Sequence, residues 1–443
     1  MELRDFIVTP IVVMLIYMVA YFVRLRVTDS VTRVYFLPAL TVKLFGAIAI
    51  GLVYQFYYSG GDTYMYHTFG SRVVWKAFLE SPVTGIKLIF SDGVNQEGIY
   101  KYASQIYFFR DPASYAIIRI ASIFDLITFS TYSATAMLFA SLSFMGMWMF
   151  FLTFYKQYPH LHRQLAVASF FIPSVFFWGS GILKDSITLA CLGIATYQIY
   201  LIFFERRVGF FSLLLLFIAL YGIFVIKIFM LQAYIPAAIV WIFARNFRTI
   251  RSMVLKILLV PLVAFFVIVS GYFAIVKVGE DDPRYSISKI AETARVTAYD
   301  IRYWSGREAG SGYSLGELDG TFGSMIRLAP QAINVSLFRP YIWEVRNPLM
   351  LLSAIESLFL FGITLYILIR KKWVFFSAFA NPNVLFAMVF SISFAFAVGV
   401  STFNFGTLVR YKIPLLPYFL VGLILIWDYS NKDKKFDELE STE

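Results

Sequence analysis

Residues 6–23 read FIVTPIVVMLIYMVAYFV and are followed at once by Arg24 and Arg26. An uncharged apolar run of this length, closed by basic residues, is the signature of a helix that crosses a bilayer. It lacks a small-residue cleavage site, so a retained span is expected rather than a signal peptide. Outward from it, similar runs recur near 35–57, 130–154, 165–182, 186–204, 209–226, 229–244, 254–276, 348–369, 383–402 and 412–428. The fold class expected is therefore all-α: a polytopic transmembrane helical bundle of about 11 spans.

Composition agrees. The chain has 443 residues, of which 59% are hydrophobic and only 15% charged, too little polar surface for a soluble fold of this size. Mean hydropathy is +0.72. Aromatic residues make up 19%, supplying lipid contact and interfacial belts. The single cysteine, Cys191, lies inside an apolar run, which excludes a disulfide framework and a thiol metal site. A net charge of +11 would suggest nucleic acid in a soluble protein. Here the basic residues fall at span ends, where membrane orientation accounts for them, and no nucleic-acid partner is expected.

Those basic residues alternate in step with the spans. Arg24, Arg26 and Arg33; Lys156 and Arg163; Arg206 and Arg207; Arg245, Arg248 and Arg251; Arg370, Lys371 and Lys372; and Lys432, Lys434 and Lys435 all fall in loops of one side. The positive-inside rule makes that side cytoplasmic, with the N-terminus outside and a cytoplasmic tail at 429–443. Residues 1–443 then form a single transmembrane domain with two long outer loops, 58–129 and 277–347. Within the first loop, 72–90 and 113–127 are amphipathic at helical spacing and are expected to lie in the membrane interface.

Four clusters could carry chemistry. Ser59-Gly60-Gly61-Asp62-Thr63-Tyr64-Met65-Tyr66-His67 follows the second span. Its glycines permit a tight turn, and an acid at the low-dielectric boundary can serve as a base. Tyr64, Tyr66 and His67 add groups suited to a polyol such as a sugar. The plainer alternative is an interfacial turn with a solvated aspartate. The run Phe171–Ser186, FFIPSVFFWGSGILKDS with its leading phenylalanine, ends a span on the outer side. It carries Lys184 and Asp185, which meet either a lipid phosphate or each other. Leu337–Glu344, LFRPYIWE, carries Arg339 and Glu344 and leads to a span that contains Glu356. Glu356 is a functional group or a neutral hydrogen-bonded tie between helices. Lys43, inside the second span, is expected to snorkel towards the cytoplasmic side. Arg410-Tyr411-Lys412-Ile413-Pro414-Leu415-Leu416-Pro417 puts two cations at the outer mouth of the last span, against the positive-inside trend. Arg410 and Lys412 suit a phosphate, or anchor to anionic headgroups.

Walker A, Rossmann, HExxH and CxxC patterns are missing from the sequence. The adjacent acids Asp281 and Asp282 are weak evidence for a metal. No cofactor is required by any motif, and a divalent metal is left open.

An acid in the first large outer loop, interfacial helices behind it, and many spans resemble the polytopic membrane glycosyltransferases of the GT-C class. FFIPSVFFWGSGILKDS is similar to a segment of bacterial membrane glycosyltransferase-like proteins, and RYKIPLLP to their final-span motif. One departure stands out: such enzymes place the catalytic loop after the first span, and here it follows the second. The resemblance implies an inverting transfer of a sugar from a polyprenyl-phosphate carrier to a glycan, lipid or protein acceptor. The setting would be cell-envelope glycan assembly on the outer face of a bacterial cytoplasmic membrane. Carried over, Asp62 would be the general base, opposite a leaving phosphate held by Lys184, Arg410 and Arg339, and Asp62, His67, Lys184, Arg339 and Arg410 are expected to converge on one outer cavity. A polysaccharide polymerase would use the same face. A lipid or glycan flippase is the rival from another class, with Pro173, Pro236 and Pro261 as candidate helix breaks.

Overall fold

The computed structural model describes residues 2–94, 97–247, 327–402 and 404–440, together with Arg295, Val296, Tyr313 and Leu315. It is all-helical, with no strand among the described residues. Among them, seven helices are long and apolar enough to cross a membrane, or eight if one bent pair counts as a span. The expected span at 254–276 and most of the loop at 277–347 lie outside the described residues. The chain, expected to be one domain, divides into two compact units, Met1–Ile228 and Phe229–Glu443.

The first unit opens with α1 (Leu3–Val27) and α2 (Arg33–Leu52), which runs on through a π-helical turn to Tyr57. Short helices follow: α3 (Asp62–Tyr66), α4 (Arg72–Glu80), α5 (Pro82–Phe90), α6 (Tyr100–Ala103) and α7 (Pro112–Thr128). The two amphipathic stretches do form helices, the first split where Ser81 caps α5 and Pro82 takes its first position. Then come α8 (Tyr132–Tyr155), α9 (His162–Phe170), α10 (Pro173–Trp178), α11 (Lys184–Ile199) and α12 (Phe210–Ile226). The run expected as one span at 165–182 is broken into α9 and α10. Pro173 sits at the first position of α10, so it disfavours helix in the residue before it and removes a donor.

Close packing of this unit rests on small residues, as expected where lipid gives helices no hydrophobic reason to associate. A Cβ on Gly146 of α8 would lie 2.3 Å from the Ala190 backbone of α11, and one on Gly193 would lie 2.0 Å from the Gly146 carbonyl oxygen. Similarly, a Cβ on Gly46 of α2 would meet the Phe176 carbonyl of α10 at 2.2 Å.

The charged loops sort to opposite ends of the unit. At one end the Asp5 carboxylate accepts the Ser133 N–H at 3.1 Å, and Arg72 bridges to Glu2 at 2.5 Å. At the other, Tyr155 donates to Asp29 at 2.8 Å and Lys156 approaches Glu205 at 4.0 Å. Arg24 and Arg26 in the last turn of α1, and Arg206 and Arg207 beside Glu205, flank that second end.

The second unit contains α13 (Ile228–Phe247, from Phe229), α14 (Ala329–Phe338), α15 (Pro348–Lys371), α16 (Trp373–Ser377), α17 (Pro382–Ser401), α18 (Phe405–Tyr411) and α19 (Leu415–Glu440). The last expected span, 412–428, begins at a 65° bend between α18 and α19, next to Pro414. Pro236 lies within a continuous α13. Gly399 of α17 touches the backbone of Ala332 of α14, repeating the small-residue rule.

Lys43 does not snorkel. It is fully buried, and its ammonium donates to Ser143 Oγ at 3.0 Å, the Val175 carbonyl at 3.1 Å and the Gly179 carbonyl at 2.9 Å. Its three donors thus meet three acceptors, two of them main-chain carbonyls in and just after the last turn of α10. Lys43→Met should cost about 2 kcal/mol by taking the donor from the Gly179 carbonyl, while the Val175 carbonyl keeps the Gly179 N–H at 3.2 Å. Heat unfolding of the detergent-solubilised protein would read this as a lowered midpoint, and an unchanged midpoint would deny the clamp.

Candidate functional site

In the first unit the turn before α3 has three successive residues with positive φ. Ser59, Gly60 and Gly61 have φ of 55°, 136° and 123°, a run that only glycine adopts without strain at its last two positions. A side chain on Gly61 would also strike the Tyr54 ring at 2.7 Å. This turn delivers Asp62 as the first residue of α3, half-buried.

Around Asp62 stand charges from separate parts of the chain. Lys184, the first residue of α11, has Asp62, Asp111 and Lys227 within electrostatic reach. Its ammonium lies 3.5 Å from Asp111 Oδ2. Asp111 is also the N-cap of α7, accepting the Ser114 N–H at 3.2 Å. Burial pushes the Asp111 carboxyl up, but Lys184 and the Ser114 bonds outweigh it and hold the group below the usual carboxylate range. Asp185 does not pair with Lys184. It forms a buried ion pair with Lys227, which sits just after α12. Asp62, Asp111, Lys184, Asp185 and Lys227 therefore form one mixed-charge group.

The other residues of the first motif serve α3 itself. Tyr64 stacks on Tyr132 with ring centroids 4.5 Å apart, and its hydroxyl donates to the Gly51 carbonyl at 3.2 Å. Burial raises the Tyr64 hydroxyl to about 12, so it stays a donor. Tyr66 is buried against Phe108. His67 is wholly buried, so it contributes to the core beneath α3 and not to a solvent-facing surface.

His67 has an unexpected neighbour. Its Nε2 lies 3.6 Å from Oδ1 of Asp125, equally buried, and that oxygen accepts the Thr135 hydroxyl at 2.7 Å. Burial, with Arg72 and Arg4 nearby, pushes the imidazole down to about 3, and burial pushes the Asp125 carboxyl up to about 6. A histidine so depressed is neutral at pH 7, and the contact is not an ion pair there.

The second unit has its own group. The Arg339 guanidinium donates through Nε to Glu344 Oε2 at 3.0 Å and pairs with Oε1 as well. The Tyr313, Tyr341 and Phe405 rings surround it, with centroids 5.5, 5.8 and 5.3 Å from its central carbon. Lys412 is fully buried, and its ammonium donates to the Arg339 carbonyl at 3.2 Å and to Ser357 Oγ at 2.9 Å. Glu356, on α15, lies within electrostatic reach of Lys412. Lys412 is thus a tie that holds Arg339 in place, and Arg410 stands half-buried on α18. Among the described residues, no group of three or more histidine, cysteine, aspartate or glutamate side chains could hold a metal ion.

Sequence reasoning missed Asp111, Asp125 and Lys227. Asp111-Pro112 signals a helix start and nothing of charge. Asp125 was hidden in an amphipathic pattern. Lys227 carried a readable signal, since a lone lysine between two apolar runs is a functional hypothesis by default.

The buried His67–Asp125 contact sets a pH test. His67, depressed from 6.5, favours the folded state above pH 6.5 and loses that contribution as pH falls. Asp125, raised from 3.8 to about 6, has the reverse slope, contributing below pH 3.8 and losing that contribution as pH rises to 6. The two slopes oppose each other between about pH 4 and 6. Asp125→Asn should remove one of them, giving a variant that loses stability in acid more steeply than the parent. Unfolding midpoints compared from pH 4 to 7 would show parallel profiles if the pair were unimportant.

Compared with known proteins, the chain matches no family model, no curated sequence and no solved structure.

Proposed function

We propose that the chain is a membrane glycosyltransferase that moves a sugar from a polyprenyl-phosphate carrier to an acceptor on the outer face of a bacterial cytoplasmic membrane. The topology proposed with it has about 11 spans, the N-terminus outside and the tail inside. The observation that supports the reading is Asp62, delivered half-buried by a glycine turn into electrostatic reach of Lys184. A general base needs a carboxylate at the acceptor hydroxyl, and the departing phosphate needs a cation opposite. Asp62 and Lys184 supply those two groups. The activated sugar arrives on a lipid, so no nucleotide-binding domain is called for.

Asp62→Asn should lower transfer by roughly a hundredfold to ten-thousandfold while leaving insertion and folding intact. The measurement is transfer of labelled sugar from a polyprenyl-phosphate donor in vesicles carrying the purified protein. Undiminished transfer removes Asp62 from the mechanism.

A flippase is supported by one observation of its own: the broken pair α9–α10 and the bent pair α18–α19, interruptions of the kind that transporters use. It predicts movement of a fluorescent polyprenyl phosphate between leaflets, independent of Asp62, with no new glycosidic bond.

A further inference from the structure

The two lysine–carboxylate pairs around the start of α11 differ in kind. The inner pair, Asp185 with Lys227, is withdrawn from solvent, with side chains 1% and 7% exposed. A buried pair of this sort does not come apart without leaving an uncompensated charge. The outer pair, Lys184 with Asp111, is wet: the side chains are 24% and 46% exposed and the contact is 3.5 Å. Exposed pairs of that geometry are weak.

Asp111 is also held independently of Lys184. The oxygen that faces the ammonium accepts the Ser114 N–H as well, so the carboxylate stays in place as the α7 cap when the lysine leaves. Lys184, for its part, stands in the first turn of α11, at the positive end of the helix dipole, behind an N-cap residue, Leu183, that offers no capping side chain. With Lys227 in electrostatic reach, that position calls for an anion, and Asp111 supplies one.

We propose that Asp111 is an intramolecular stand-in for a phosphate: it holds the Lys184 ammonium until the phosphate of a ligand displaces it. The proposal rests on the reading of Lys184 as a phosphate-binding residue, and it adds the internal competitor. Asp111 is then a positioning residue that keeps Lys184 aimed at the ligand position, and its negative charge sets a threshold that weak anions do not cross. The ligand class is a phosphate monoester or diester, carried by a lipid or free in solution.

Asp111→Asn separates this from a structural role, because asparagine caps a helix as well as aspartate does and lacks the charge. The test uses the full chain in lipid nanodiscs, titrated with polyprenyl monophosphate in one arm and with inorganic phosphate in the other. The Asn variant should bind its phosphate probe about twofold to fivefold more tightly than the parent. The gain should vanish when Lys184→Met is added, and Lys184→Arg should preserve it. Tightening towards inorganic phosphate alone supports the exchange and counts against the lipid donor of the proposed reaction. Equal affinity of parent and Asn variant for both probes overturns the exchange, and leaves the reaction standing if the parent still transfers sugar.

Discussion

An ammonium withdrawn from water has to find three acceptors, and the way Lys43 finds them organises the first unit. Its partners are a serine hydroxyl of α8 and two main-chain carbonyls at the end of α10. Backbone groups released by a broken helix are intolerable in an apolar setting unless something satisfies them. The lysine therefore satisfies the C-terminal end of α10, where the chain turns towards α11. The second unit repeats the solution: Lys412 binds the Arg339 carbonyl, so the ammonium fixes the backbone of the residue whose guanidinium is framed by aromatic rings.

This division of labour sorts the basic residues by burial. Lys43 and Lys412 are sealed in and hold main chain, whereas Lys184 keeps partial access to solvent and holds a carboxylate that is itself half-exposed. The same sorting applies to the acids. Asp185 is committed to Lys227, Asp125 is committed to Thr135 beside His67, and Asp62 and Asp111 remain at the rim. Reactivity belongs with the groups that still meet water, and rigidity with those that do not.

Much of the helical architecture was legible because apolar runs and their basic flanks are one-dimensional signals. α1, α2, α8, α15 and α17 fall close to the expected bounds. The broken spans were harder. Pro173 was visible, but proline inside a helix is sometimes tolerated, as Pro10 and Pro236 are, and what decides the outcome is a partner for the freed carbonyls. At the other end of α10 the Gly179 carbonyl finds such a partner in Lys43, far away in sequence. The candidate site shows the same limit. Asp62 and Lys184 stood out by motif, yet Asp111 and Lys227 became part of the site only when helices starting far apart were brought to one end of the unit. Adjacency misled in one place: Lys184 and Asp185 are neighbours in the chain and take different partners, because successive residues on a helix point about 100° apart.

The glycine contact between α8 and α11 bears on the order of events during synthesis. α8 leaves the ribosome before α11, so its Gly146 face has no partner when it first enters the bilayer. The face can close only when Ala190 and Gly193 arrive. The α8–α11 seam is therefore available before α12 and Lys227 are made, and the Asp185–Lys227 pair can close only after it.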